Sequence, residues 1–448
     1  MVRIPEQKYD AVFPQLNRVI QPAYMLEVFR RELNSENVCR IQRVHLERFL
    51  YKPGKKCRLI YRVEVSRWGN GGSSWHLLVC ELIPQGEGKP GPVPSWFREV
   101  DCLPARLVVP QEQLVCHIFP NDARLPQLVH LTRTDFLTRL LAELPEFAGH
   151  PPQSLHSELV KYVPENRLVL RLTVSEGEGK TERHYYLKTS GNPLTPIFRG
   201  MQAIFRRWQQ SGYAVRVPEP LRYDAETNSM LMRAVPGVKL TERLKEVEPE
   251  HLAESAAELL SLIHTCQCAD LPRRSEADEQ KDVHKALEII HNYNRELGSR
   301  ISQLMDSLLR VSLPEPERMT PTHGAFRATQ MLLDGRTIGL VDFDGLMVGN
   351  PWNDVASFIS HLFYLYVKQE VDFATAERII RRFLQTYFRC TGFRADPLRL
   401  KHLIAVELVK KHGKKMIKRA KSGGEEKLVR ITELAEKIWR SGILDTVL

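Results

Sequence analysis

The chain has 448 residues, more than one ordinary domain, which implies two or three. A hydrophobic share of 43% with 26% charged residues excludes a disordered or fibrous chain, and no apolar run approaches the about 18 residues needed to cross a bilayer. Lys and Arg number 64 against 54 Asp and Glu, a net charge of +10 that suits an anionic ligand or surface without selecting one.

The N-terminal MVRIPEQKYD lacks the apolar core of a secretory signal. Eight scattered cysteines include one close pair, Cys266-x-Cys268, and no metal-type couple; they read as reduced thiols of a cytoplasmic protein. Residues 1–40 read as one or two helices, with Tyr24, Leu26, Val28, Phe29 and Leu33 on the apolar face.

An internal repeat follows. Phe49–Val65 (FLYKPGKKCRLIYRVEV) and Val160–Val174 (VKYVPENRLVLRLTV) each place an aromatic-x-Pro turn between two strand-like runs. Each continues into another strand, at 76–82 and 184–190, and later into a β-run ending in Pro, at 114–120 and 230–236. Pro53 and Pro164 lie 111 residues apart, Pro120 and Pro236 116 apart. This near-constant offset predicts a duplicated small β-sheet, its first copy forming an N-terminal α+β cap domain over 1–150. Between the two runs of the first copy, Gly86, Gly88 and Gly91 satisfy G-x-G-x-x-G. Pro90, Pro92 and Pro94 forbid the helix such a loop needs, so 84–96 is a flexible loop.

Downstream, Ile197, Phe198, Met201, Ile204, Phe205 and Trp208 mark an amphipathic helix at 196–210. From Leu240 the pattern turns helical: a helix ending at Leu262-Ile263-His264, a polar loop at 269–281, a helix at 284–310, and three more at 355–368, 372–390 and 396–420. Lys410–Lys421 (KKHGKKMIKRAK) carries seven basic side chains and no acid, a solvated helix face or a patch for an anionic partner. It has no interleaved aromatics, which disfavours single-stranded nucleic acid.

The densest pattern is Pro321–Asp354, PTHGAFRATQMLLDGRTIGLVDFDGLMVGNPWND. It reads as a polar loop, a strand, an Asp-Gly turn, a second strand through IGLVDFD and a helix beginning near Val355. This stretch resembles the catalytic segment of the aminoglycoside phosphotransferase and choline kinase family, H-G-D-x-x-x-x-N, a hairpin, Ile/Val-Asp, then G-D-P-x-x-D. His323, Gly324, Val341, Asp342, Gly349, Pro351 and Asp354 match. Ala325 stands at the catalytic Asp, Gln330 at the metal-binding Asn and Asn350 at the Asp of G-D-P.

The resemblance covers residues 155–400 and implies a bilobal, protein-kinase-like α+β fold, with a small lobe at 151–238 and a helical lobe at 239–448. It implies ATP and Mg²⁺ as cofactors, with Asp342 and Gln330 as metal ligands. Asp344, on the opposite face if the strand continues, is a second candidate ligand and a catalytic carboxylate that would replace the base missing at Ala325. Lys188 takes the place of the phosphate-pairing Lys. Its usual Glu partner is missing, because no acid occurs between Glu182 and Glu219; Gln202 is the nearest polar substitute. Arg167, after the glycine-free turn Pro164-Glu165-Asn166, replaces backbone contacts to phosphate with side-chain charge. Arg233 opens Arg233–Gly237, which resembles the hinge that meets adenine. Arg327 is a phosphate contact in the catalytic loop, while His323 and Asp354 are structural, tying that loop to the following helix. The expected function is a cytoplasmic phosphotransferase-family protein that binds ATP-Mg and phosphorylates or senses a small hydroxylated metabolite, with catalysis impaired at Ala325. Two alternatives are a pseudokinase-type regulator or scaffold acting through a protein partner, and a basic nucleic-acid-binding protein.

Overall fold

Alternating apolar and polar side chains build two antiparallel meanders in the first half of the chain, and helices dominate the second. The computed structural model describes residues 10–33, 39–52, 55–67, 72–86, 91–147, 149–176, 181–311, 313, 316, 318–413 and 424–440. It is α+β, and it divides into two units: residues 1–193 with 224–229, and residues 194–223 with 230–448.

The first unit begins with α1 (Leu16–Val19) and α2 (Pro22–Leu33), followed by β1 (Cys39–Lys52), β2 (Lys56–Arg67), β3 (Ser73–Leu82), β4 (Arg106–Val109) and β5 (Leu114–Ile118). These strands form one antiparallel sheet in the order β1-β2-β3-β5-β4. α2 covers it with Met25, Val28, Phe29 and Leu33, and Phe29 meets Tyr61 edge-on at 5.5 Å. Tyr24 and Leu26, expected on the buried face, sit at its margin, and Met25 takes the inner position. Cys80 and Cys116 face each other across β3 and β5 and are disulfide-linked, which corrects the expectation of eight reduced thiols. Their 36-residue separation gave no sign of the pairing, because only the sheet register opposes them.

After α3 (Leu128–Leu131) and α4 (Thr134–Ala142), the second meander forms from β6 (Ser154–Val163), β7 (Arg167–Glu176) and β8 (Thr181–Ser190). The repeat is visible in the ladders. Tyr51 opposes Cys57 and Lys52 opposes Lys56; 111 residues on, Tyr162 opposes Leu168 and Val163 opposes Arg167. β1 carries two extra residues, at Ile41/Arg43 and Leu46/Arg48, and β6 one, at Leu159/Lys161, so the common register runs from the turn only as far as the β6 bulge. Counting from the shared turn, the Arg58–Glu81 pair of the first copy is the counterpart of Val169–Lys188 in the second. Glu81 therefore stands where the second copy has Lys188.

The second unit comprises α5 (Thr195–Ser211), β9 (Val215–Arg216), β10 (Pro220–Asp224), β11 (Ser229–Arg233), β12 (Val238–Lys239), α6 (Pro249–His264), α7 (Glu276–Tyr293) and α8 (Arg295–Leu309). The turn between β10 and β11 belongs to the first unit, where Thr189 Oγ1 donates to the carbonyls of Thr227 and Asn228. The second unit continues with β13 (Thr320–Thr322), β14 (Met331–Asp334), β15 (Thr337–Leu340), β16 (Met347–Gly349), α9 (Trp352–Val367), α10 (Phe373–Thr391) and α11 (Pro397–Glu407). A four-stranded sheet runs β12-β14-β15-β9, and β13 pairs with β16. α9 is apolar on nearly every face and is buried accordingly, with α10 and α11 packed on it.

The single helix expected at 284–310 is two helices. Asn294 leaves helical geometry at φ −147°, and its side chain accepts from Leu297 N–H to start α8. The helix expected to run to 420 gives way at Leu408 to a π-helical turn through Gly413, and 414–421 of the basic stretch lie outside the described residues. Lys410 is buried and Lys411 half-buried, and both are paired with acids. Lys410 pairs with Glu407 and with Glu279 (3.0 Å), and Lys411 pairs with Glu407 at 2.7 Å. Burial alone would raise the Glu407 pKa, but the two ammonium groups override it and hold it at about 2.

The Glu407 contribution to stability is therefore present above the ordinary value of 4.5 and is lost as pH falls toward about 2. Glu407→Gln leaves Lys410 with Glu279 alone, so urea unfolding at pH 7 should show a loss near the lower end of the roughly 3–5 kcal/mol typical of a broken buried pair. The variant should also show a shallower acid limb than the wild type.

Candidate functional site

Gly335 and Arg336 form the two-residue turn between β14 and β15, with Gly335 at the positive φ of 58° that this first turn position requires. The second strand was expected to continue through Asp344 but ends at Leu340. Asp342 takes a left-handed conformation, φ 68° and ψ 59°, and Phe343–Gly345 form a single 3₁₀ turn. Asp344 is thus half-buried in a turn, not placed on the opposite face of a strand.

α9 starts at Trp352, three residues before the expected Val355. Pro351 is the N-cap and offers no side-chain bond, while the Asn350 side chain before it accepts from Trp352 N–H at 3.0 Å, satisfying one free amide of the first turn. Asp354 lies in the first turn and is only 1% exposed. Its Oδ2 accepts from His323 N–H at 2.5 Å and its Oδ1 from Gly324 N–H at 3.0 Å. His264 at the end of α6 donates from Nε2 at 3.4 Å, while its Nδ1 lies 2.7 Å from the Tyr387 hydroxyl of α10. Burial would raise the Asp354 pKa; the hydrogen bond and charge of His264, with His323 behind them, overcome this and hold it below the usual carboxylate range. Burial pushes the His323 imidazole below its ordinary value, and its Nε2 donates to the Val341 carbonyl at 3.1 Å.

Two glycines complete the loop. Gly324 has φ +75°, and a Cβ there would lie 2.6 Å from Gly345 O; a Cβ on Gly345 would lie 2.7 Å from His323 O. The loop and the turn after Asp342 therefore touch backbone to backbone.

Gln330 ends a 3₁₀ turn after the loop, and its carbonyl accepts from Val341 N–H at 2.9 Å. This places its side chain beside Asp342, with Nε2 3.2 Å from Oδ2. A hard cation would take one oxygen from each after rotation of the Gln330 amide about its terminal bond. Among the described residues, no group of three or more His, Cys, Asp or Glu side chains could hold a metal. One carboxylate and one amide do fit Mg²⁺ bound chiefly through phosphate oxygens and water. Ala325 and Arg327 are half-buried in the same loop, and Ala325 offers no proton acceptor.

Of the other expected ligands, Arg233 is engaged: its Nε donates to Glu219 Oε2 at 2.7 Å and its N–H to Glu219 O at 2.9 Å. Lys188, in the first unit, is buried on β8 opposite Val169. Arg167 opens β7 opposite Val163. The turn before Arg167 has spent its donors. Glu165 N–H goes to Asp122 Oδ2 at 2.8 Å and Asn166 N–H to Val163 O at 3.0 Å, while Pro164 has none. The Asp122 carboxylate also accepts from Tyr162 O–H at 2.6 Å. Buried Arg58 binds Glu81 at 2.6 Å and Glu165 at 2.7 Å. Sequence reasoning missed Asp122, Arg58 and the bond from His264 to Asp354; of these, only Asp122 carried a local sign, as an Asx turn accepting from Arg124 and Leu125.

A kinase-type loop, hairpin and carboxylate, in this order and joined to a helix start, define a phosphotransferase segment. Residues 165–395 match the model of the phosphotransferase enzyme family, more than half of the 448 residues, and the chain belongs to that family. Among solved structures it is similar to a choline/ethanolamine kinase family protein from Mesorhizobium loti at 16% identity, covering 70% of this chain and 97% of that one with a TM-score of 0.41. It is also similar to choline kinase from Cryptosporidium parvum at 12%, 70% and 98%, TM-score 0.49, and to an amicoumacin kinase in complex with AMP-PNP and Ca²⁺ at 14%, 69% and 95%, TM-score 0.46. No curated protein matches the chain. Among the described residues, no helix is long and apolar enough to cross a membrane. Family membership bears out the kinase-like α+β fold read from the sequence.

Asp354→Asn turns one acceptor oxygen into an amino group facing a donor, so it should cost about 1–3 kcal/mol in urea unfolding at pH 7. Because the Asp354 pKa is depressed, its contribution is present above the ordinary carboxylate range and fades as pH falls below it, so the penalty should shrink in acid. Gly324→Ala should cost roughly 1–3 kcal/mol from the positive φ alone, with the overlap on Gly345 added.

Proposed function

We propose that this chain binds a nucleotide with Mg²⁺ through Asp342 and Gln330 and acts on a small hydroxylated metabolite as a slow phosphotransferase. The reading is supported above all by the 3.2 Å approach of Gln330 and Asp342 at the end of the hairpin, beside a loop tied down by a buried carboxylate. When bound, Mg²⁺ would neutralise charge on the phosphates. Asp342 and Gln330 hold that charge in place; Asp354 and the two glycines keep the loop from shifting. Lys188 is the proposed phosphate ligand by its family position. The acceptor hydroxyl finds no side-chain base at Ala325, so its proton leaves to water or to a phosphoryl oxygen. A base contributes about 10²–10⁴-fold, whereas most of the barrier in this chemistry yields to positioning and charge. Catalysis is slowed, not abolished.

A second reading, a nucleotide-independent regulatory or scaffold protein, draws on the turn at Pro164–Asn166, where the amides are taken and Glu165 and Asp122 bring negative charge.

Thermal unfolding with and without Mg-ATP separates the two. A ligand at 100 times its Kd stabilises by about 2.7 kcal/mol. The wild type should gain a higher Tm with millimolar Mg-ATP, and Asp342→Ala should lose most of that gain. No shift in the wild type would rule out the nucleotide reading in favour of the second. Ala325→Asp should raise ATP turnover about 10²–10⁴-fold if the missing base is the main defect.

A further inference from the structure

The cleft between the two meanders is used by nothing described so far. Tyr61 and Val63 of β2, with Leu78 and Cys80 of β3, point into the core under α2, so the alternate residues Ile60, Arg62, Trp75 and Leu77 face the other way. Residues 159–162 of β6 and Phe119 share with them the lining of a cavity of about 520 Å³, a size that holds a small organic ligand. Its walls are tied without one. Arg48 donates from Nη1 to Tyr162 O at 3.0 Å, and the Phe119 and Tyr162 rings lie 4.9 Å apart.

Two features of this lining point to a ligand. Trp75 is 39% exposed and Val160 50%; large apolar side chains left singly in water are ordinary, but these two line one cavity. Around them Arg48, Arg62 and Lys161 stand against a single carboxylate, Glu47. The contact of Glu47 with Arg62 is 3.6 Å long between two exposed groups and contributes little. Burial holds the His76 imidazole below its ordinary value, so it adds no charge at neutral pH. Arg62 lies over the Trp75 ring, 5.1 Å from its centre. A guanidinium over a ring face keeps its N–H edge for a bidentate bond to a carboxylate or phosphate.

We propose that this cleft binds a planar aromatic anion, its ring packed among the apolar side chains and its carboxylate or phosphate on Arg62. The two halves of the lining call for the two halves of such a ligand. An inorganic anion would leave Trp75 and Val160 in water, and a neutral aromatic would leave the excess positive charge unanswered. The cleft lies wholly in the first unit, whereas Asp342 and Gln330 belong to the second, and binding here needs no metal. It therefore goes beyond the phosphotransferase reading and does not rest on it.

Equilibrium dialysis of the full chain in EDTA tests this, with 1-naphthoate and AMP as separate probes. At least one should bind saturably at a single site per chain; 1-naphthoate alone identifies an aromatic acid, and AMP a nucleotide. Arg62→Glu and Trp75→Ala alter exposed side chains and leave the core intact. Each should weaken that binding about tenfold or more, the loss expected for a charge-assisted bond or a ring contact. Asp342→Ala should leave it unchanged, which separates this cleft from the Gln330–Asp342 pair. The neutral 1-naphthalenemethanol should bind at least about tenfold more weakly than 1-naphthoate. Absence of saturable binding by both anions would overturn the proposal. So would binding that Arg62→Glu and Trp75→Ala leave intact, or that the neutral alcohol matches.

Discussion

A carboxylate withdrawn from water survives only when donors replace its hydration, and Asp354 receives three: two backbone amides and one imidazole. Those donors come from the loop before the hairpin and from the end of α6, and Tyr387 of α10 continues the chain of hydrogen bonds. One side chain in the first turn of α9 thereby fixes three other elements against each other. The backbone contact between Gly324 and Gly345 carries that rigidity to the turn that follows Asp342. The turn that follows Asp342 is thus held by backbone and buried groups outside the Gln330–Asp342 pair.

The same logic of satisfied charge distinguishes the two copies of the meander. Their ladders coincide in the turn and in the register beside it, yet the position held by Lys188 in one is held by Glu81 in the other. In the first copy Glu81 faces Arg58, and the guanidinium also reaches Glu165 in the second. Burial disfavours the charged Arg58, and the carboxylates around it more than compensate. The first meander thus holds the turn of the second through Arg58, at a position where the two differ in the sign of their charge.

The proposed phosphotransferase reading rests on positioning elements. They are the hairpin, the buried Asp354 clamp, the Asn350 bond to the first amide of α9 and the Gln330–Asp342 approach. The proton acceptor at Ala325, the Glu partner of Lys188 and a glycine in the turn before Arg167 are absent from the sequence. In a reaction governed by charge neutralisation and alignment, the proposed reading weighs the Gln330–Asp342 approach above the missing base.

The sequence by itself determined the local order of this protein. The 111-residue offset, the Asp-Gly hairpin, the spacing from His323 to Asp354 and the stripes of α5 and α6 were readable because turns and periodicity are encoded in neighbouring residues. Even there, Asn294 hid as a helix breaker inside an apolar pattern, and the left-handed Asp342 ended a strand that composition would have continued. Tertiary structure alone decided which distant groups meet: His264 with Asp354, 90 residues apart, Cys80 with Cys116, and Lys410 with Glu279. Such pairs leave no periodic trace. A buried charge or thiol finds its partner only through the packing of whole elements, and that packing is a property of the folded core.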